Sequence, residues 1–125
     1  MADAVASQTI LDSSKKTIMK FTNVSDGTGE AAVKKVDVSA LFGAPSTIKI
    51  DRIIYSIDGM AVQLLWDATS NVVAFTVGNG TGVLDFTSIG GLHNNAGTGV
   101  TGDILFTTSG HSSGDSYSII LEMSK

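Results

Sequence analysis

Residues 97–102 read GTGVTG, the G-x-G-x-x-G spacing that cradles a pyrophosphate in dinucleotide-binding turns, and Glu122 follows twenty residues after Gly102, where a ribose carboxylate would be wanted. That chemistry requires a strand feeding a glycine turn that opens a helix, because the helix N-terminus holds the phosphates. Here the glycines open DILFTTS, which alternates apolar and polar residues as a strand does, and Glu122 sits in a second alternating run. The nucleotide reading is set aside, and the glycines are expected to serve positive φ angles in a long loop. The other reactive side chains are dispersed. His93 and His111 both fall in Gly/Ser/Asn-rich loops, and Asp85, Asp103 and Asp115 are distant in sequence, so converging metal ligands are not expected. Asp26, Glu30 and Asp115 lie in DGTGE and SGD turns that could hold Ca²⁺ only weakly, and an EF-hand pattern is missing. The many serines have no nucleophile elbow around them. A sugar platform would need exposed aromatics, yet Trp66 is in phase with Met60, Val62 and Leu64, which places it in the core or an interface. No catalytic residue, metal or cofactor is predicted.

The elements that must carry these residues are strands. Met60, Val62, Leu64 and Trp66 alternate with Ala61, Gln63, Leu65 and Asp67, and Tyr117, Ile119, Leu121 and Met123 alternate with Ser116, Ser118, Ile120 and Glu122. Val73, Phe75 and Val77 share one parity, as do Val36 and Val38, and Ile104 and Phe106. Period two with β-branched and aromatic residues is the signature of half-buried strands. Asp58-Gly59 between two apolar runs reads as a primed hairpin turn, and DATSN at 67–71 as a second reversal, so residues 47–77 are expected to form a three-stranded meander. Within 47–57 the apolar phase slips from Ile48, Ile50 and Ile54 to Ile53, Tyr55 and Ile57, which predicts a bulge near Asp51-Arg52 or a strand buried on both faces. The only proline, Pro45, falls in a loop before a strand. The expected fold is all-β, an antiparallel β-sandwich of jelly-roll-like form with eight or nine short strands. Residues 15–125 would form this single domain, preceded by an extended N-terminal arm over residues 1–14.

Composition narrows the function classes. The chain has 125 residues, of which 42% are hydrophobic and only 16% charged, with a mean hydropathy of +0.25. Against a typical charged fraction of about 25% this argues for order and for surface buried against a neighbour. There is no cysteine, so disulfides and thiolate metal sites are excluded. The start MADAVASQTILDSSKK has an acidic residue, Asp3, and no cationic run before an apolar one, so no secretory signal is expected. No apolar run approaches a membrane span, so no membrane partner is predicted. The sequons at Asn23 and Asn79 are then fortuitous. Net charge is −4, with residues 1–52 holding seven bases against six acids and residues 53–125 holding six acids against Lys125 alone. Without clustered arginine or aromatic-interleaved lysine, nucleic acid is not an expected partner. The polarised halves could instead dock head to tail between copies.

The stretches KIDRIIYSIDGMAVQLLWDAT and GGLHNNAGTGVTGDILFTTSGHSSGDSYSIILEMSK resemble small virion structural proteins of tailed bacteriophages. The likeness spans most of residues 47–125 and lies in style and motif order. It implies an accessory capsid protein of the decoration or cement type, made in the host cytoplasm and carried on the outer capsid surface. Such a protein self-associates, with a trimer favoured over a dimer, and binds the major capsid protein. The arm would gain order on the shell by adding a strand to a neighbour's edge. Val5, Ile10 and Leu11 of the arm, with Trp66 and His93, are the expected interaction residues. A head–tail joining, tail or fibre-associated protein is the alternative within virions, and a carbohydrate-binding or adhesion module the alternative outside them.

Overall fold

A computed structural model describes residues 4–25, 30–110 and 112–125. His111, Asp26 and Asp3 lie outside the described residues. Among the described residues nine strands follow in order: β1 (Ala4–Asp12), β2 (Lys16–Val24), β3 (Val33–Val36), β4 (Lys49–Asp58), β5 (Ala61–Trp66), β6 (Val72–Val77), β7 (Gly80–Asp85), β8 (Ile104–Ser109) and β9 (Ser116–Ser124). Two single turns of 3-10 helix, Val38–Ala40 and Thr87–Ile89, are the helical content among the described residues. All pairings are antiparallel, in a five-stranded sheet ordered β1-β2-β9-β4-β7 and a four-stranded sheet ordered β3-β8-β5-β6. From β2 onward the chain alternates between sheets at nearly every connection, and β2-β9-β4-β7 faces β3-β8-β5-β6. This is the two-Greek-key order of an eight-stranded jelly roll, with β1 added outside it as an extra edge.

The alternation read from the sequence decides what lies between the sheets. Tyr117, Ile119, Leu121 and Met123 of β9 are at most 1% exposed, and Val62, Leu64, Trp66, Ile104 and Phe106 meet them from the other sheet with none of their surface exposed. Phe106 stands edge-on to both Phe21 and Tyr117, at ring-centroid separations of 5.2 and 5.9 Å. Each side chain of this size contributes roughly 1.5–3 kcal/mol by leaving water. The phase slip in 47–57 is a bulge: Ile50 pairs with Met123 and Arg52 with Glu122, so Asp51 is the extra residue. Ile48 and Ile50 point inward before it, and Ile53 and Ile57 after it.

Three expectations are corrected. The Asp58-Gly59 turn does not close a hairpin, because β4 and β5 belong to different sheets. Its chemistry is still used: Gly59 has φ +84°, and its N–H donates to Asn79 Oδ1 at 3.0 Å, tying this crossover to the β6–β7 crossover. Only β5 and β6 of the expected meander pair, and a register shift between Leu64 and Leu65 turns Val73 out to 47% exposure while Phe75 and Val77 stay inward. Residues 4–12 of the expected arm are indeed extended, but they form β1, paired with β2 from Ala4↔Val24 to Asp12↔Thr17. Ordering them against this chain's own sheet satisfies one row of backbone groups that a mobile arm would leave to water. The charge-polarised halves also meet inside one chain. Lys16–Glu122, Arg52–Glu122, Arg52–Asp85, Lys34–Asp103 and Lys125–Asp12 all join the basic first part to the acidic second, because the jelly roll interleaves them.

The glycine motif behaves as a loop. Val100 N–H closes a turn on Gly97 O at 3.1 Å, Gly99 and Gly102 have φ of +79° and +89°, and β8 follows as a strand. Gly102 packs so tightly that a Cβ there would lie 2.4 Å from Ser46 O. Glu122 sits on the solvent side of β9, paired to Lys16 and Arg52 rather than presented to a ligand.

Candidate interaction surfaces

The outer face of the five-stranded sheet is built from the solvent parity of each strand, and the registers align its side chains in rows. One row runs Val83–Ile54–Ile120–Lys20–Gln8, the next Asp85–Arg52–Glu122–Ile18–Leu11, and a third Thr81–Ser56–Ser118–Thr22–Ala6. Neighbouring strands lie about 4.8 Å apart, so each row is a ladder of regular spacing. The aliphatic members are open to solvent at the rims, with Val83 58% and Leu11 42% exposed, and half-buried at Ile54, Ile120 and Ile18. The charges between them are neutralised locally: Arg52 contacts Glu122 at 3.3 Å and Asp85 at 3.8 Å, and Lys16 contacts Glu122 at 3.6 Å. The Thr87 hydroxyl and N–H, hydrogen-bonded to Asp85, hold its carboxyl below the ordinary value, with Arg52 adding a smaller pull. The result is a surface of hydroxyls and aliphatics on which Arg52, Lys16, Glu122 and Asp85 pair among themselves, while Lys20, beside Ile120 in the first row, makes no ion pair among the described residues.

A second feature is an open pocket of about 350 Å³ lined by Thr47, Ile48, Lys49, His93, Asn94, Ser124 and Lys125. The Asp51 bulge and residues Ser124 and Lys125 organise it. Ser124 Oγ donates to Asp51 Oδ2, while the Lys125 ammonium donates to Asp12 Oδ1, Ser13 O and Phe42 O. That ammonium holds the Asp12 carboxyl below its ordinary value, the Phe42 N–H acting in the same sense and burial opposing both. Asn94 Oδ1 accepts from Ala96 N–H at 2.9 Å, and its buried Nδ2 makes no hydrogen bond among the described residues. Phe42 lies beside the pocket, 61% exposed, with its ring 5.6 Å from the Lys125 ammonium.

At the opposite side of the core, Glu30 is enclosed. Lys35 Nζ reaches its Oε2 at 2.5 Å and Tyr117 OH donates to its Oε1 at 2.5 Å, with the Lys35 and Glu30 side chains each 5% exposed. With its carboxylate committed to that pair, Glu30 is not presented as a calcium ligand, and no group of three or more His, Cys, Asp or Glu gathers among the described residues. Asn23 of the first sequon is 1% exposed and faces inward.

The five residues expected to make contacts are not brought together. Val5, Ile10 and Leu11 all lie on β1, 46%, 50% and 42% exposed, and Ile10 is the extra residue of a bulge between Thr9 and Leu11. His93 is exposed on the rim of the pocket, one position after Leu92, which pairs with Ile50. Trp66 is corrected: it is fully buried between Val72 and Ile104 in the four-stranded sheet and can touch no partner. The outer-face row went unnoticed in the sequence. Its signal was there, in Ile18, Ile54 and Ile120, aliphatics standing on the parity that should be polar. Only the register shows that Ile54, Ile120 and Val83 adjoin.

No protein-family model matches this chain, and no curated protein matches it. Among solved structures it is similar to an uncharacterised conserved protein with a double-stranded β-helix domain from Klebsiella pneumoniae, at 5% identity and a TM-score of 0.43, covering 96% of this chain and 76% of that one. It is also similar to a point mutant of a family 29 carbohydrate-binding module (9% identity, TM-score 0.41, 98% and 79% covered). A cupin superfamily protein from Desulfitobacterium hafniense is a third (12% identity, TM-score 0.36, 99% and 79% covered). The jelly-roll description rests on the strand order and registers of this chain.

Proposed function

We propose that this chain is a non-enzymatic capsid decoration protein of the cement type, which self-associates and binds the major capsid protein on the outer surface of a virion. The observation that carries the reading is the outer face of the five-stranded sheet. Its Val83–Ile54–Ile120 row is aligned by register, with the paired Arg52, Asp85 and Glu122 on one side and Lys20 at its end. The phage-like stretches named above, KIDRIIYSIDGMAVQLLWDAT among them, contribute β4 and β5 and so much of that face and its support. A jelly roll is shared by capsid, lectin and cupin proteins, so the fold itself does not choose between them. Many copies on one lattice make retention a matter of multivalency, so a modest apolar contact repeated per oligomer suffices.

The test uses purified shells of the phage that encodes the chain. The double substitution Ile54→Lys with Ile120→Lys places two cations in the aliphatic row without touching the core. It should abolish shell binding while the melting temperature stays within a few degrees of the parent. Undiminished binding by that variant would overturn the reading. Copy number separates decoration from a head–tail, tail or fibre role, since decoration requires icosahedral multiples and a joining protein only about a dozen copies.

The exposed Phe42 beside the Lys49–His93–Asn94 pocket favours a second reading, a carbohydrate-binding module, since an aromatic platform next to polar donors is how sugars are held. A glycan array hit that disappears in Phe42→Ala would establish it in place of the first.

A further inference from the structure

The free edges of the two sheets are not alike. β3 is four residues long and carries Lys34 and Lys35; β7 contains Gly80 and Gly82 and ends on Asp85; β6, VVAFTV, has no such residue but is six residues long with only Val73 and Thr76 exposed. Shortness, charge and glycine are the means by which natural edges avoid pairing with other chains. β1 has little of this protection. Its sequence, AVASQTILD, holds no glycine, proline or charge before Asp12, and its side chains from Val5 to Leu11 are all exposed. Val5, Ser7 and Thr9 pair with Asn23, Phe21 and Met19, so they sit on the parity that faces the core, yet they remain open because the opposite sheet has only four strands.

We propose that β1 is the self-association element, pairing antiparallel with β1 of a second copy across a two-fold axis and merging two five-stranded sheets into one. The geometry narrows the register. Residues opposite one another must share a sheet face, so a two-fold axis has to pass at a residue rather than between two. The bulge at Ile10 confines regular pairing to Ala4–Thr9, which admits an axis at Ala6 or at Ser7; we take Ser7, so that pairing runs over Val5–Thr9. Val5 then stands opposite Thr9 of the second copy and Ala6 opposite Gln8. The segment is neutral throughout, so superposing it on itself brings no like charges together, as the same operation on β3 would. An isologous contact must be self-complementary in this way, and the backbone groups on the far side of β1 supply the hydrogen bonds of strand addition. This deepens the self-association in the reading above and selects a dimer over the trimer implied by the resemblance.

Because the chain has no cysteine, single replacements report contacts cleanly. Analytical ultracentrifugation of the purified full chain should give twice the 12.9 kDa of one copy. Ser7→Cys should oxidise to a covalent dimer under mild oxidant, whereas Ser56→Cys, exposed on the outer face of the same sheet, should not. Ser7→Lys sets two ammonium groups opposite each other at the axis and should raise the dimer Kd at least tenfold with an unchanged far-UV spectrum. A monomer at all concentrations, a trimer, preferential cross-linking through Ser56→Cys, or an unaltered Kd for Ser7→Lys would each overturn the proposal. Dimers that ignore the shell would overturn the decoration reading alone, and shell binding by a chain that never dimerises would overturn this one alone.

Discussion

Replacing Lys35 by methionine should be among the most damaging single changes in this chain. The Lys35 ammonium lies 2.5 Å from Glu30 Oε2 and 6.0 Å from the Phe106 ring centroid, and both charged side chains are 5% exposed. Glu30 is further fixed through its backbone, its N–H donating to Thr108 Oγ1 and its C=O accepting from Thr108 N–H, each at 2.9 Å. It therefore cannot swing out to water when its cation is removed. Methionine keeps most of the length of the lysine stem, so packing changes little, and the cost is that of an uncompensated buried carboxylate, about 3–5 kcal/mol. For a domain of this size each kcal/mol moves the melting temperature by roughly 3–5 °C, so the loss should be about 9–25 °C. The double variant Lys35→Met with Glu30→Gln removes the charge while its amide oxygen still accepts from Tyr117 OH, and it should recover to within about 1–2 kcal/mol of the parent. Urea titration followed by circular dichroism measures all three proteins. A Lys35→Met loss below about 1 kcal/mol, or a double variant no more stable than the single one, would refute the argument that the pair is enclosed and interdependent.

Two further expectations follow from local geometry. The Asp12 carboxyl is held below its ordinary value chiefly by the Lys125 ammonium, so its contribution is complete above the unfolded-state value and is lost as pH falls through the lower folded one. Asp12→Asn should therefore melt below the parent near neutrality, and the gap should close on acidification to about pH 2; a gap that persists or widens there contradicts the assignment. Gly102→Ala combines φ +89° with a Cβ 2.4 Å from Ser46 O, and should destabilise the chain by about 1–3 kcal/mol in the same urea titration, whereas Gly97→Ala, with open space around it, should be nearly silent.

The β1 edge and the Ile54–Ile120 row offer different kinds of contact. The edge contributes directional hydrogen bonds to one copy of the same strand, and the row contributes apolar area to a broad surface. They lie on one sheet and can be occupied together.

Most strands from β2 onward, the inward parity of most of them and a phase slip near Asp51 were legible in the residues of this chain, because period two is a local property; that the slip is a bulge rather than a strand buried on both faces took the register with β9. Tyr117 to Met123 and Met60 to Trp66 point where their alternation says they must. Pairing is not local. Asp58-Gly59 has the composition of a hairpin turn, yet the strands it joins enter different sheets, and Gly59 at φ +84° serves that crossover instead. Whether Trp66 belonged to the core or to an interface, whether residues 4–12 were arm or edge, and which aliphatics on the solvent side became neighbours all depended on register between segments far apart in the chain, as Ile18 and Glu122 are. The linear chain determined which side of each strand is apolar. Only the closed fold decided which of those sides have something to pack against.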